Sequence, residues 1–191
     1  MNKLMVISGP SGSGKGTVVE LLKKKYEEEN KKLYVSVSCT TREPREGEVD
    51  GKSYFFITEQ EFEEKLNDHD FLEYNKYANG KYYGTPKSNV VKYLNDGYDV
   101  ILEIDINGYR QIKENYPDVI GVFITLDDLD KLEERLRNRG TETEEQIQDR
   151  MNRAREEIKD KDEYPYVLIN YEGKANETME QVYNILNEIS Q

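Results

Sequence analysis

Leu4-Met5-Val6-Ile7 is an unbroken apolar run closed by Ser8-Gly9-Pro10, which predicts a fully buried strand ending in a turn. A glycine-rich stretch follows, and from Thr17 onward Val18, Leu21, Leu22 and Tyr26 recur at helical spacing. That spacing predicts a helix with one buried face, giving way to Lys and Glu around Glu29. Leu33 to Val37, Val100 to Ile106, Val119 to Leu126 and Val167 to Ile169 are further strand-like runs. The last three are each followed by a helical pattern, ending with the amphipathic segment Thr178 to Ile189. Strands alternating with helices build a parallel sheet, so the expected class is α/β, with a five-stranded, mostly parallel sheet covered by helices on both faces.

The rhythm changes twice. Between residues 38 and 86, Tyr54-Phe55-Phe56-Ile57 and Phe71 to Tyr77 read as antiparallel strands and Asn79-Gly80 signals a hairpin turn, which predicts an inserted subdomain. From Asp128 to Lys161 two charge-dense helical patterns meet at Arg139-Gly140-Thr141. There Gly140 can close one helix and Thr141 or Thr143 can cap the next, an arrangement suited to a mobile lid. No linker-like stretch and no internal repeat divides the sequence. One domain is therefore expected over residues 1–191, with a core of 1–37, 87–127 and 162–191, an insertion at 38–86 and a lid at 128–161.

Composition narrows the functional classes. A hydrophobic content of 36% in 191 residues is enough for one sizeable core. With 27 Lys and Arg against 39 Asp and Glu, the formal charge of -12 has the wrong sign for a sequence-independent nucleic-acid binder. An anionic ligand must therefore meet local clusters of basic residues. The lone Cys39 excludes an internal disulfide and a cysteine-rich zinc site and suits a reducing compartment. No apolar run reaches the roughly 18 residues of a membrane helix, and Met1 to Ser8 lacks the organisation of a signal peptide, so a cytoplasmic protein without a membrane partner is expected. Cys39 is expected to be a small packed residue and His69, the only histidine, a surface one.

Candidate chemistry begins at Gly9-Pro10-Ser11-Gly12-Ser13-Gly14-Lys15, which follows a predicted strand and opens a helix. In that context backbone amides and the helix N-terminus face an anion, and Lys15 reaches the outer phosphates. The next residue is Gly16, and the hydroxyl expected to meet magnesium comes one step later as Thr17. On a strand, Glu103 and Asp105 would share a face, and Glu103 is a candidate for magnesium contact through water.

The Gly9 to Lys15 loop is joined by Ser38-Cys39-Thr40-Thr41-Arg42-Glu43-Pro44-Arg45-Glu46-Gly47-Glu48, Tyr54-Phe55-Phe56, Phe71-Leu72-Glu73-Tyr74, Tyr82-Tyr83-Gly84-Thr85 and Arg139-Gly140-Thr141-Glu142. On these motifs, from about Lys3 to about Ile189, the chain resembles guanylate kinase. The resemblance implies a P-loop kinase fold and transfer of phosphate from ATP to GMP, with magnesium, in a molecule of core, GMP-binding insertion and lid. It further implies ATP binding by Gly9 to Thr17 and Asn170. Arg42, Arg45, Tyr54 and Tyr83 would hold the GMP phosphate, and Ser38, Glu73, Thr85 and Asp105 the guanine. Lid residues Arg135, Arg139 and Arg150 would gather around the ATP phosphates. The local chemistry agrees, since two guanidinium groups three residues apart can fork onto one phosphate, and a carboxylate accepts the N1 and N2 donors of guanine but meets an acceptor on adenine. Arg137 and Arg153 read as solvated-face residues, counterbalanced by Glu144, Glu145 and Asp149. Similar domains in scaffold proteins bind protein partners instead; Lys15 and the lid arginines point to the enzyme. A monomer or a homodimer is compatible with the sequence.

Overall fold

The first apolar run forms strand β1 (Leu4–Ser8), every residue of which is buried, and helix α1 (Lys15–Glu28) begins directly after the glycine-rich loop. The computed structural model describes residues 2–77, 79–139 and 143–188, apart from the side chains of Arg135 and Arg139. Gly140, Thr141, Glu142 and Ile189, named above, thus lie outside the described residues. The remaining strands are β2 (Leu33–Val35), β3 (Cys39–Thr40), β4 (Phe55–Phe56), β5 (Phe71–Lys76), β6 (Tyr82–Pro86), β7 (Asp99–Glu103), β8 (Ile120–Thr125) and β9 (Tyr166–Ile169). The remaining helices are α2 (Glu59–Asn67), α3 (Lys87–Asn95), α4 (Ile106–Asn115), α5 (Leu129–Arg139), α6 (Glu144–Lys159) and α7 (Ala175–Glu188).

The larger sheet has five strands in the order β2-β7-β1-β8-β9, and the pairings β1 with β8, β8 with β9 and β2 with β7 are all parallel. The α/β class with a five-stranded, mostly parallel sheet flanked by helices is the one expected from the alternation of elements. β8, like β1, is buried along its whole length, which is why both read as continuous apolar runs rather than alternating ones. None of the described helices is long and apolar enough to cross a membrane.

Two compact units emerge. The first comprises Met5–Lys32 with Ile120–Gln191. Here Val18, Val19, Leu22 and Tyr26 of α1 are buried, as are Met179, Val182, Ile185 and Leu186 of α7. α5 and α6 share a small core of their own, with Leu132, Leu136, Ile147, Met151 and Ala154 buried together. Thr143 caps α6: its hydroxyl accepts from the Gln146 amide while the Gln146 side chain accepts from the Thr143 amide. Of the two threonines considered for that cap, Thr143 is the one seen to fill it.

The second unit comprises Asn2–Leu4 and Leu33–Val119 and carries the smaller sheet, in the order β4-β3-β6-β5. β5 and β6 are antiparallel, as the Asn79-Gly80 signal predicts; Gly80 adopts φ 78°, a left-handed conformation that glycine enters without steric cost. The Tyr54 to Ile57 run, expected as an antiparallel strand, supplies only Phe55–Phe56, which pairs parallel to β3. Thr58 then starts α2 through a second capping box with Glu61, so the chain leaves the sheet almost at once. A further difference concerns Asp105, which is not on the strand with Glu103: β7 ends at Glu103, and Asp105 caps α4 by accepting from the Gly108 amide. Cys39 is buried, which pushes its thiol up to about 11, and His69 is exposed, both as expected.

Candidate active site

In the first unit, the loop from Gly9 to Gly14 turns tightly enough to require positive φ at Gly9 (139°), Gly12 (89°) and Gly14 (87°). Side chains are excluded there by close approach as well: a Cβ on Gly9 would lie 2.0 Å from the Ile124 carbonyl oxygen, and one on Gly14 2.3 Å from Asn170 Nδ2. Pro10 is buried, and its carbonyl accepts from the Ser13 amide, closing the turn. Gly9→Ala is accordingly expected to cost about 3 kcal/mol or more of stability, read as a lower midpoint of urea unfolding. An unchanged midpoint would mean that the loop relaxes around the methyl group.

Lys15 is the first residue of α1, and its ammonium donates to the carbonyls of Gly9 and of Pro10, the latter at 2.9 Å. Gly16 and Thr17 are exposed on the first turn of α1, and Glu103 is exposed at the end of β7 in the second unit. Asn170, just past β9, is 5% exposed; it donates to the Ser13 carbonyl at 2.8 Å and accepts from the Thr178 hydroxyl at 3.0 Å. Its amide therefore braces the phosphate loop from behind. From α6, Arg150 donates to the Ser11 hydroxyl at 3.2 Å. Arg137 pairs with Glu133 and Glu144 on the surface, in keeping with a solvated face. Arg135 and Arg139 lie on α5, their side chains outside the described residues.

In the second unit the antiparallel register places Glu73 of β5 opposite Thr85 of β6, with a bulge between Phe71 and Glu73. The Thr85 hydroxyl donates to Glu73 Oε1 at 2.6 Å and lies 3.4 Å from the Ser38 hydroxyl. Glu73 is 5% exposed, and this burial pushes its carboxyl up to about 7, with the Thr85 hydrogen bond opposing the rise and the nearby Asp105 charge adding to it. Gly108 of α4 is what lets the carboxylate sit there, because a Cβ at that position would come within 2.8 Å of Glu73 Oε2. Asp105 Oδ1 accepts from the Gly108 amide at 3.0 Å and from Asn75 Nδ2 at 3.3 Å, while Oδ2 accepts from the Tyr77 hydroxyl at 2.6 Å. Gln111 of α4 holds the helix to β5 by donating to the Tyr74 carbonyl and accepting from its amide.

A second cluster surrounds Arg42. Its Nη1 and Nη2 fork onto the two oxygens of Glu48 at 2.8 and 2.9 Å, its Nε donates to the Tyr83 hydroxyl at 3.1 Å, and its guanidinium stands 5.4 Å from the centre of the Tyr54 ring. Arg42 and the Arg45 amide together hold the Glu48 carboxyl down at about 2. Tyr54 and Tyr83 meet edge to face at 5.7 Å, and Arg45 is exposed beside them on the 43–48 loop.

Of the residues named from sequence, the structure brings Ser38, Glu73, Thr85 and Asp105 together, and separately Arg42, Tyr54 and Tyr83. Sequence reasoning missed the forked partner Glu48, the brace Thr178, and Asn75, Tyr77 and Gly108 around the acids. Period two from Glu73 was the available signal for Asn75 and Tyr77, because strand residues two apart share a face.

A mostly parallel α/β sheet whose first strand runs through a phosphate-cradling loop into a helix, in a chain whose second unit carries a buried acid and, separately, a forked arginine, defines the class of P-loop phosphotransferases acting on nucleotides. Residues 1–189 match the guanylate kinase family. The guanylate kinase of Clostridium tetani is 49% identical, over 96% of this chain and 84% of its own. That of Prochlorococcus marinus subsp. pastoris is 43% identical over 97% of each. The crystal structure of guanylate kinase from Anaplasma phagocytophilum superposes with a TM-score of 0.75 at 28% identity, over 98% of this chain and 85% of its own. The chain belongs to the guanylate kinase family: it is a nucleoside monophosphate kinase that phosphorylates GMP at the expense of ATP.

Proposed function

We propose that the second unit reads GMP through two clusters, with Glu73, Asp105, Thr85 and Ser38 on the guanine and Arg42, Arg45, Tyr54 and Tyr83 on the phosphate. The observation that carries this reading is the buried Glu73 carboxylate, held by Thr85 and lying next to Asp105. A buried acceptor satisfies the N1 and N2 donors of guanine and leaves the N1 acceptor of adenine unpaired, which is a strong basis for selection. All of these residues address base or phosphate, so dGMP is accepted alongside GMP. Segment 38–86 is then the acceptor-binding insertion and 128–161 the lid over a core of 1–37, 87–127 and 162–191.

On the donor side, the Gly9 to Thr17 loop, through its backbone amides other than that of Pro10, and the Lys15 ammonium hold the ATP phosphates, with Asn170 supporting the loop and Arg135, Arg139 and Arg150 supplied by the lid. Magnesium travels with ATP and spreads the phosphate charge. Oxygen donors suit this hard ion, and because it keeps waters and phosphate oxygens it needs only one or two protein contacts. Among the described residues no group of three or more acidic, His or Cys side chains is placed to hold a metal ion by itself, and the exposed Thr17 hydroxyl and Glu103 carboxylate are the contacts we assign, Glu103 through water. Phosphoryl transfer needs little covalent chemistry from the protein, so positioning and charge stabilisation by Lys15 and the arginines supply the catalysis, with no general base. Closure of the flanking parts excludes water and protects ATP from hydrolysis. We place the enzyme in the cytoplasm, as a monomer or homodimer acting on small molecules without nucleic acid or membrane.

A coupled ADP-release assay with magnesium-ATP against GMP, dGMP, AMP, CMP and UMP tests this reading. Turnover with the two guanine nucleotides, at about 1 to 100 per second, and little with the others is expected. Comparable turnover of AMP would remove Glu73 and Asp105 as the selective elements.

A further inference from the structure

We propose that Tyr77 is a positioning residue for guanine recognition, its phenol fixing the plane of the Asp105 carboxylate so that one oxygen stays aimed at the exocyclic amine of the base. The proposal rests on the reading of Glu73 and Asp105 given above.

Tyr77 follows the last residue of β5 and continues its ladder, donating its amide to the Lys81 carbonyl at 2.9 Å. Side chains alternate along a strand, so Glu73, Asn75 and Tyr77 belong to one face, the face that Thr85 and Tyr83 present from β6. Two of these three, Asn75 and Tyr77, donate to Asp105.

The division of donors between the two carboxylate oxygens is what gives Tyr77 its role. Oδ1 is anchored twice, by the Gly108 amide and by Asn75, whereas Tyr77 is the donor to Oδ2, at 2.6 Å. The torsion that turns an aspartate carboxylate has a broad, shallow profile, so anchoring at Oδ1 alone leaves the plane free to swing. A donor on the second oxygen fixes the plane. Each carboxylate oxygen accepts along two lone-pair directions, so Oδ2 keeps one direction for a substrate N–H after Tyr77 has taken the other. Burial and the Asp105 carboxylate both push the Tyr77 phenol up, so it remains a donor throughout the working pH range.

Packing of an apolar ring does not by itself account for this side chain: its phenol is dehydrated where it meets Asp105, yet the residue as a whole is 43% exposed. Its ring meets the Tyr83 ring edge to face at 5.1 Å, and Tyr83 accepts from Arg42 Nε. The same residue thus bears on both the base-reading acid and the tyrosine of the phosphate cluster.

Tyr77→Phe isolates the phenol, because it keeps the ring contact with Tyr83 and every backbone bond of the hairpin. Steady-state kinetics with GMP, and competition by inosine monophosphate, which lacks the exocyclic amine, are the readouts, with Asp105→Asn measured in parallel. The KM for GMP is expected to rise about tenfold in Tyr77→Phe, the size of one hydrogen bond to a charged group, with kcat and the KM for ATP within about twofold of wild type. The inhibition constant of inosine monophosphate is expected to stay unchanged. Asp105→Asn that raises the KM for GMP while Tyr77→Phe leaves it at the wild-type value would overturn the role of Tyr77 alone. Equal weakening of GMP and inosine monophosphate in Tyr77→Phe would also overturn it, as a general structural effect. Asp105→Asn without effect on GMP would overturn both the reading of Asp105 and the proposal.

Discussion

Lys15→Met is expected to lower turnover by two to three orders of magnitude, the usual loss when one preorganised charge-stabilising donor is removed from a transferring group, about 3–4 kcal/mol. Methionine keeps an unbranched side chain of similar length, so the start of α1 is preserved while the ammonium is lost. The residues assigned to GMP all belong to the Leu33–Val119 unit and Lys15 to the other, so GMP affinity measured by calorimetry is expected to stay near wild type. A separate readout of ADP release and of GMP binding distinguishes the two effects. Turnover at the wild-type rate would take Lys15 out of the transfer step.

Glu73→Gln is expected to lower kcat/KM for GMP by two to three orders of magnitude and to leave ATP affinity unchanged. The amide that replaces one carboxylate oxygen turns a donor toward the guanine donors or toward the Thr85 hydroxyl, so a buried mismatch replaces a matched pair. Unchanged selectivity between GMP and AMP would show that the base is read elsewhere. The same carboxyl sets a pH dependence. Its pKa is pushed from 4.5 up to about 7, so between those values the folded state keeps a proton that the unfolded state has released. Stability then falls as pH rises through that window, by roughly 3 kcal/mol in all, and is level above it. GMP binding runs the opposite way, because only the ionised carboxylate accepts both guanine donors: the KM for GMP is expected to fall as pH rises through about 7. In Glu73→Gln both slopes attributed to this group disappear, and its unfolding midpoint at pH 8 exceeds that of wild type. A wild-type slope surviving in the variant would assign the titration to another group.

How far the site was legible followed how local each part is. The phosphate loop lies within nine consecutive residues, and its strand-loop-helix setting was readable from apolar runs alone. The roles of Arg42, Arg45, Tyr54 and Tyr83 came through the family resemblance, as did Glu73 with Ser38 and Thr85. Helix α2 is not legible from periodicity although Thr58 and Glu61 spell a capping box, because Phe62 is the residue it buries and one apolar position sets no helical period. The parallel pairing of β4 with β3 depends on a connection that no alternation pattern encodes. Asp105 looked like a strand residue because Ile104 and Ile106 continue the apolar run, yet its side chain accepts from the Gly108 amide and ends the strand two residues earlier.

By itself the sequence determined the strands of the larger sheet, the helices that follow them and their class, since each buried strand and amphipathic helix there carries its own hydrophobic period, and it determined the phosphate loop, whose glycines are needed by backbone conformation at the spot. Tertiary structure alone decided which distant groups meet. Cross-strand register set Glu73 against Thr85, the absent side chain of Gly108 made room for the carboxylate, and burial lifted its pKa. Register, proximity and dehydration are properties of segments brought together rather than of any one segment, so no local pattern carries them.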